Sequence, residues 1–390
     1  MTSAVMPTYA RAPVTFVNGE GCWLIDARGR RHLDFGAGIA VCGLGHAHPG
    51  LVEALTRQAK TLWHTSNLYG VDGQEQVAAR LAAASFGDVV FFANSGAEAN
   101  ECAIKLARRF HAARGNPGKW RILAFEGSFH GRTLATLAAA GNPRNLAGFG
   151  PVVTGFDHAP YGDVARAASL VCAETAAILV EPIQGEGGVR VPPPGFLEGL
   201  RTLADRHGAL LMFDEVQCGL GRTGRLFAHE HAGVAPDVMS LAKTLGGGFP
   251  VAACVATAAA AAGMTAGSHA STFGGNLLAM AVAAAVLDIV ARPEFLAAVA
   301  RKGEILAAGL DLLVARHPGV FERRRGVGLM QGLRCVASHE ALIDRLRDAG
   351  LLVVPAQDRV IRLIPPLVVG DGEIDEALRM LESVARAIPA

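Results

Sequence analysis

Lys243 closes the stretch Val238-Met239-Ser240-Leu241-Ala242-Lys243, and Gly246-Gly247-Gly248 follows almost at once. The chain has five lysines against 31 arginines. Lys60, Lys105 and Lys302 fall in charged, helix-like segments, and Lys119 falls in a Gly/Pro loop. A lysine drawn out of water loses proton affinity and becomes an amine nucleophile able to form a Schiff base with an aldehyde. Taken alone, Lys243 also reads as a strand-end lysine reaching solvent. Asp214 ends a second apolar run, Ala209–Phe213. A buried carboxylate needs a cationic partner, which leaves a structural Asp–Lys pair, a solvated loop carboxylate, or a protonated ligand nitrogen. Asn94-Ser95-Gly96-Ala97 stands between a strand-like run and a long helical pattern. Ser95 and Glu98 have capping-box spacing. The amides that open a helix also favour an anion such as phosphate, and the small Gly96 and Ala97 let it approach.

A lysine for a Schiff base, an acid facing a ring nitrogen and a phosphate cradle are the three requirements of pyridoxal phosphate. An aldolase-type lysine needs neither the acid nor the cradle. Gly219-Leu220-Gly221-Arg222-Thr223-Gly224 matches the Gly-x-Gly-x-x-Gly dinucleotide pattern, but no long amphipathic helix follows it, and Asp214 already holds the strand end in front of it. His46-x-His48 lacks a third ligand nearby and reads as the turn before a helix starting at Pro49, so no metal is expected.

The elements that must position these residues alternate. Two short strands joined by polar turns are predicted over 15–35, and helices over 49–62 and 76–84. The strand 89–92 then leads into a helix reaching Arg109. Strands 122–125 and 177–180, helix 196–207, strand 209–213 and a strand before Lys243 complete the pattern. Alternating helices and continuous apolar strands specify a mostly parallel sheet covered on both faces, with ligands bound beyond the strands' carboxyl ends. Ser95, Phe129, Glu181, Asp214 and Lys243 all fall there. After Arg292-Pro293 the texture changes to charged helices (294–316, 338–349) and short strands (327–333, 351–354, 360–364), a smaller α+β domain.

Composition narrows the function classes. Of the 390 residues 51% are hydrophobic and 18% charged, with a formal net charge of +1, so a large core is expected and neither nucleic acid nor an anionic membrane surface is an expected partner. The apolar runs Val251–Met264 and Leu277–Leu287 are shorter than the ~18 residues that span a bilayer and read as alanine-rich packing elements. Seven scattered cysteines, none in a Cys-x-x-Cys pair, suit reduced thiols in a cytoplasm.

A longer set of motifs appears in order between residues 17 and 370. It comprises Leu44-Gly45-His46-Ala47-His48-Pro49, Thr65-Ser66-Asn67-Leu68-Tyr69, Phe91-Phe92-Ala93-Asn94-Ser95-Gly96-Ala97-Glu98-Ala99-Asn100 and Ser128-Phe129-His130-Gly131-Arg132-Thr133. Glu181-Pro182-Ile183-Gln184-Gly185-Glu186-Gly187-Gly188, Asp214-Glu215-Val216-Gln217, Lys243 with its glycines and Thr272-Phe273-Gly274-Gly275-Asn276 follow. With these the chain resembles the class III (subgroup II) pyridoxal-phosphate aminotransferases. The resemblance implies an α/β protein of the PLP-dependent transferase fold type I, with a large domain built on a mostly parallel sheet flanked by helices and a smaller α+β domain. Residues 1–50 would pack with the small domain, 51–290 would form the cofactor-binding domain, and 291–390 the small domain.

The resemblance also implies roles. Lys243 would hold the cofactor as a Schiff base and shuttle the proton, and Asp214 would keep the ring nitrogen protonated. Gln217 would bond the ring's phenolic oxygen, Val216 would back the ring and Phe129 would cover its other face. Ser95, Gly96 and Ala97 would bind the phosphate, and Thr272 would reach it from a partner subunit, making a homodimer with shared sites. Arg132 would grip a substrate carboxylate, a task suited to a planar guanidinium. Arg362 would take a second one, with Glu186 as the switch that neutralises it. Ile39 stands where ornithine-using members carry a tyrosine for the free α-amino group, which suits an acylated nitrogen. The expected reaction moves the δ-amino group of N2-acetylornithine to 2-oxoglutarate, giving glutamate, by a ping-pong mechanism in arginine biosynthesis. Succinylornithine, succinyldiaminopimelate, 4-aminobutyrate and ornithine are the rival donors, and a non-catalytic binding protein on the same fold is a more distant alternative. Leu277, Ala270-Ser271 and Cys218 depart from the family's usual proline, Gly-Thr and threonine.

Overall fold

Three apolar strands set the architecture. Thr175–Val180, Leu210–Asp214 and Val238–Leu241 are buried at every position, which requires cover on both faces of their sheet. The computed structural model describes residues 4–388 and places these strands at the centre of a seven-stranded sheet. Its order is Val89–Ala93, Ala252–Ala256, Val238–Leu241, Leu210–Asp214, Thr175–Val180, Arg121–Phe125 and Phe156–Ala159. From Val238–Leu241 to Phe156–Ala159 every pairing is parallel. Ala252–Ala256 runs antiparallel to both neighbours. The apolar run 251–264, expected only as an alanine-rich packing element, therefore splits into this strand and a short helix, Ala258–Ala261, capped by Thr257. The reversal follows from chain length: the short link from Leu241 to Ala252 holds no crossover helix, and a parallel return needs one. Two reversals in succession bring Val89–Ala93 back into line, so all the ligand-bearing strand ends share one edge.

The Gly96–Ala113 helix buries Ala99, Ala103, Ile104, Leu106 and Ala107, and the Leu277–Val290 helix buries Val282, Ala283, Val286 and Val290, against this sheet and the helices beside it. The remaining elements form two smaller sheets. Phe16–Glu20, Trp23–Asp26 and Arg31–Asp34 are antiparallel, one strand more than expected, and Leu351–Leu352 joins them in parallel. Phe321–Val327, Met330–Cys335, Val360–Leu363 and Val354–Ala356 make the other, wholly antiparallel. The expected single strand over 327–333 thus spans the turn of a hairpin, Gly328-Leu329, and most of its second strand, Met330–Cys335. A common core joins Leu33 and Phe35 to Leu306, Leu310, Phe321 and Leu363. It is sealed by a helix absent from the expectations, Asp371–Arg386, which buries Ile374, Ala377, Leu381 and Val384.

The Gly219–Gly224 segment is a turn, not the opening of a helix. Arg222 within it is fully buried, and its Nη1 donates to the carbonyls of Leu329 and Pro365, so the segment braces the large sheet's loops against the C-terminal elements. His48 caps the Pro49–Ala59 helix, its Nδ1 accepting from Gly50 N at 3.2 Å. His46 Nε2 lies 2.8 Å from Asp34 Oδ2, and that hydrogen bond pushes the imidazole up to about 9. Among the described residues no cluster of His, Cys, Asp and Glu could hold a metal ion, and no helix is long and apolar enough to cross a membrane.

The Pro293–Arg316 helix lies against the hairpin turn at Gly303, where an added Cβ would stand 2.5 Å from Gly328 Cα. Backbone cannot yield as a side chain does, so Gly303→Ala should destabilise by about 1–3 kcal/mol and lower the urea midpoint. Gly372→Ala, on an open helical surface, should be neutral or stabilising by about 0.5–1 kcal/mol. Equal midpoints for the two variants would contradict this packing.

Candidate active site

The loops at the carboxyl edge of the large sheet enclose a cavity of about 450 Å³. Ser95, Gly96 and Ala97 reach it from the helix start after Val89–Ala93, and Phe129 and Arg132 from the loop after Arg121–Phe125. Asp214, Val216 and Gln217 follow Leu210–Asp214, and Lys243 follows Val238–Leu241. Nine of the thirteen expected site residues are brought together here. Glu186, Arg362, Ile39 and Thr272 do not line it.

Lys243 has φ +48°, a left-handed conformation that a non-glycine residue adopts at a cost of about 1–3 kcal/mol. It opens a short 3₁₀ turn, Lys243–Leu245. Among the described residues its Nζ has no hydrogen-bond or ion-pair partner. Burial lowers its proton affinity to about 8, the nearby Arg362 charge adding to the fall and Glu186 opposing it. The structural Asp–Lys pair is thereby ruled out: Asp214 is bound otherwise. Its Oδ2 accepts from Asn100 Nδ2 at 2.7 Å and faces His130 Nδ1 at 2.8 Å, and its Oδ1 accepts from the Val216 amide at 3.0 Å. Burial pushes His130 down, but the hydrogen bond and charge of Asp214 outweigh it and hold the ring protonated more firmly than a free histidine.

Ser95 caps the Gly96–Ala113 helix as its spacing with Glu98 suggests. Its Oγ accepts from Glu98 N at 3.3 Å and donates to Glu98 Oε2 at 2.8 Å. The returning carboxylate bonds the amide of Asn94, not that of Ser95. The amides of Gly96 and Ala97 remain at the helix start, facing the cavity. Gly96 is required where Val216 packs, since a Cβ there would fall 2.7 Å from Val216 Cγ1.

Arg132 is exposed, stacks over the Phe129 ring at 5.6 Å and has no ion-pair partner among the described residues. Beside the cavity, Arg362 is buried and meets Glu186 through two contacts, Nη1 to Oε1 at 2.7 Å and Nη2 to Oε2 at 2.9 Å. Its Nη1 also donates to Gln217 Oε1 at 2.9 Å, which turns the Gln217 NH₂ into that side chain's donor end. Ile39 sits in a left-handed turn, φ +64°, and is 45% exposed; Val41, two residues on, is the cavity wall. Thr272 is exposed on the outer surface.

Three site residues carried no role in the sequence reading. Glu181 accepts from the amides of Phe129 at 2.9 Å and Gly185 at 3.1 Å, tying two site loops together. Burial and the Asp214 charge raise it to about 7. His130 and Asn100 hold Asp214. Glu181 had the signal of a strand end, and Asn100 that of a lone amide on an otherwise apolar helical face.

A buried acid, an unpartnered lysine and helix-start amides around one cavity define a transferase of the pyridoxal-phosphate type. The chain belongs to the class-III aminotransferases, whose family model matches residues 5–385. It is 56% identical over 386 residues to an acetylornithine aminotransferase of Mesorhizobium japonicum, covering 99% of this chain and 97% of that protein. A crystal structure of N-acetylornithine aminotransferase from Stenotrophomonas maltophilia superposes with a TM-score of 0.85 at 40% identity, covering 97% of each chain. One of ornithine aminotransferase from Toxoplasma gondii, with partial occupancy of PLP at its active site, superposes at 0.94 with 33% identity, covering 99% of this chain and 92% of that one.

Pyridoxal 5'-phosphate is the cofactor of this family and of this chain. The donor set fits it: among the described residues the buried Asp214 lacks a lysine or arginine partner and the Lys243 amine is unpaired, and the Gly96 and Ala97 amides at the helix start would meet its phosphate. The lysine supplies a test that needs no cofactor. With a folded value near 8 against an ordinary 10.5, Lys243 binds fewer protons folded than unfolded. Its penalty is full below pH 8 and fades as pH rises towards 10.5. Lys243→Met should therefore raise the urea midpoint of the apoprotein at pH 7, by a margin that shrinks through that window. A margin that does not change with pH would contradict a desolvated lysine.

Proposed function

We propose that this chain moves the δ-amino group of N2-acetylornithine to 2-oxoglutarate, giving the semialdehyde and glutamate, as a step of arginine biosynthesis. The observation that carries the reading is the contrast between two guanidiniums. Arg132 is open to a carboxylate, whereas Arg362 is covered by Glu186. A donor whose reacting end is an amine needs one cation for its carboxylate and would be repelled by a second one near that amine. A dicarboxylate acceptor needs two. Glu186 pairs Arg362 for the first substrate and releases it for the second. The names of the relatives, at 56% and 40% identity, support the acylated donor, as does the apolar Ile39–Val41 turn in place of a group that would bind a free α-amino cation.

The chain's residues divide the work as follows. Arg132 grips the substrate carboxylate bidentately and sets its orientation. Lys243, with its lowered proton affinity, takes the proton from the amine-bearing carbon of the donor and, in the second half of the cycle, delivers one to the oxo carbon of the acceptor. Asp214, held by Asn100 and His130, presents a fixed negative charge to the cavity. Gln217 offers its NH₂ towards the ring oxygen, Val216 and Phe129 form the walls on either side, and Ser95, Gly96 and Ala97 receive the phosphate. Bound pyridoxal phosphate supplies the electron sink and carries the amino group between the two substrates.

A second copy of the chain completes the site. Asn67 Nδ2 donates to the carbonyls of Ser271 and Gly274, and His64 lies against the Phe273 ring at 5.2 Å. Trp63, Leu68, Tyr69 and Phe273, all large and 60% exposed or more, therefore share one surface with Thr272. Such an apolar surface favours a homodimer, with Thr272 reaching the partner's phosphate.

The deciding measurement is the absorbance of the lysine-bound cofactor before and after N2-acetylornithine is added without acceptor. Bleaching with release of the semialdehyde is expected, and Lys243→Ala should lack both. Bleaching by 4-aminobutyrate or free ornithine but not by acetylornithine would overturn the donor. Arg132→Met should lower kcat/KM roughly ten- to hundred-fold, in line with about 1.5–3 kcal/mol for a charged hydrogen bond.

A further inference from the structure

A second cavity, of about 630 Å³, lies outside the first and shares Phe129 and Arg132 with it. Its charges do not balance. Glu186 is committed to Arg362, and Asp358 is committed to Arg325 and Arg334. His339 is pushed down by burial and is neutral near pH 7. Arg359 also lines the cavity, but its Nη1 bonds the Val336 carbonyl and its Nη2 lies 4.0 Å from Glu322. Glu340 accepts from Ser338 Oγ at 3.3 Å and, of the three acids lining the cavity, is the one without an ion pair among the described residues. Against it stand two guanidiniums without ion pairs among the described residues, Arg132 and Arg144. Arg144 is held by its backbone. Asn142 Oδ1 accepts its amide at 3.0 Å, at the start of the short Pro143–Leu146 turn of helix, while its side chain is exposed to the cavity.

An arriving dicarboxylate faces a difficulty at the inner site. Arg362 is covered by Glu186 until the switch opens, so only Arg132 is ready, and the second carboxylate would enter without a counter-charge. Arg144 supplies one on the path. We propose that Arg144 and Arg132 form an encounter site for the dicarboxylate acceptor, holding its two carboxylates in the outer cavity before Glu186 releases Arg362. The inference rests on the functional reading above, in that the acceptor is 2-oxoglutarate. Arg144 is a capture and specificity residue that favours a dicarboxylate over a monocarboxylate oxo acid. Being exposed, it acts through a field that salt screens.

The test is steady-state kinetics of the holoenzyme against ionic strength, with 2-oxoglutarate and with pyruvate as acceptors. Arg144→Gln should lower kcat/KM for 2-oxoglutarate roughly three- to ten-fold at low salt by raising KM, with kcat retained. It should flatten the salt dependence and leave pyruvate and the amine donor little changed, and Arg144→Lys should restore most of the loss. Arg206→Gln removes the same charge from the end of the Phe196–His207 helix, at the opposite edge of the sheet, and controls for net charge. An equal fall in kcat with every substrate, a salt dependence identical to wild type, or an equal effect of Arg206→Gln overturns the encounter site alone. Failure of the unaltered enzyme to use 2-oxoglutarate overturns the functional reading and the inference with it.

Discussion

The site depends on satisfying the buried carboxylate of Asp214. Burying an ion without partners is prohibitive, and Asp214 is met by an amide from Asn100, the ring of His130 and the backbone of Val216. Asn100 comes from the Gly96–Ala113 helix and His130 from the loop after Arg121–Phe125, so one oxygen pair fixes that helix and that loop against the Asp214–Gln217 turn. His130 belongs to the loop that carries Phe129 and Arg132, and Asn100 to the helix whose start lines the cavity. Val216 packs on Gly96 at that same start. The acid chemistry and the anion site are therefore held by one network.

A second constraint acts through the backbone. Lys243 reaches the cavity only because the chain leaves its strand through a left-handed residue and a single 3₁₀ turn. Thr244 Oγ1 donates to the Ala40 carbonyl at 3.3 Å, next to another left-handed stretch, where Ala37, Gly38, Ile39 and Ala40 all have positive φ. Unfavourable conformations from two distant parts of the chain thus meet beside the cavity. Local strain of this kind persists where surrounding packing over-determines it, and here the surroundings are the Lys243 turn and the wall residue Val41.

Much of this was legible in residue types and spacing. The alternation of helices and continuous apolar strands marked the large sheet, and Asp214, Lys243 and the Asn94–Ala97 turn marked its active edge, because strand ends are where such sheets place chemistry. The antiparallel Ala252–Ala256 strand was not legible, since an alanine run has no period to separate strand from helix; only the shortness of the preceding link decides it. Of the Phe321–Cys335 hairpin only 327–333 was read as a strand, because Arg323, Arg324 and Arg325 hide the alternation of its first half. The last helix went unread although Ile374, Ala377, Leu381 and Val384 repeat at helical spacing. Asn100 and His130 were beyond sequence reasoning as partners of Asp214, for nothing local reveals a contact made 114 and 84 residues away.

The tight reversal between Val238–Leu241 and Ala252–Ala256 also limits how the protein can vary. Ala252–Ala256 is bonded on both sides, residue for residue, from Ala252 opposite Ala93 to Ala256 opposite Val238. A one-residue shift in such a strand turns every side chain to the opposite face. The larger Val255 would then press where small residues now lie, on both flanks at once. The register is thus fixed from both sides, and it anchors the far end of the 242–251 link, which begins at the Lys243 turn. Among the described residues none of Ala252–Ala256 lines the cavity, yet that strand holds one end of the segment that carries Lys243.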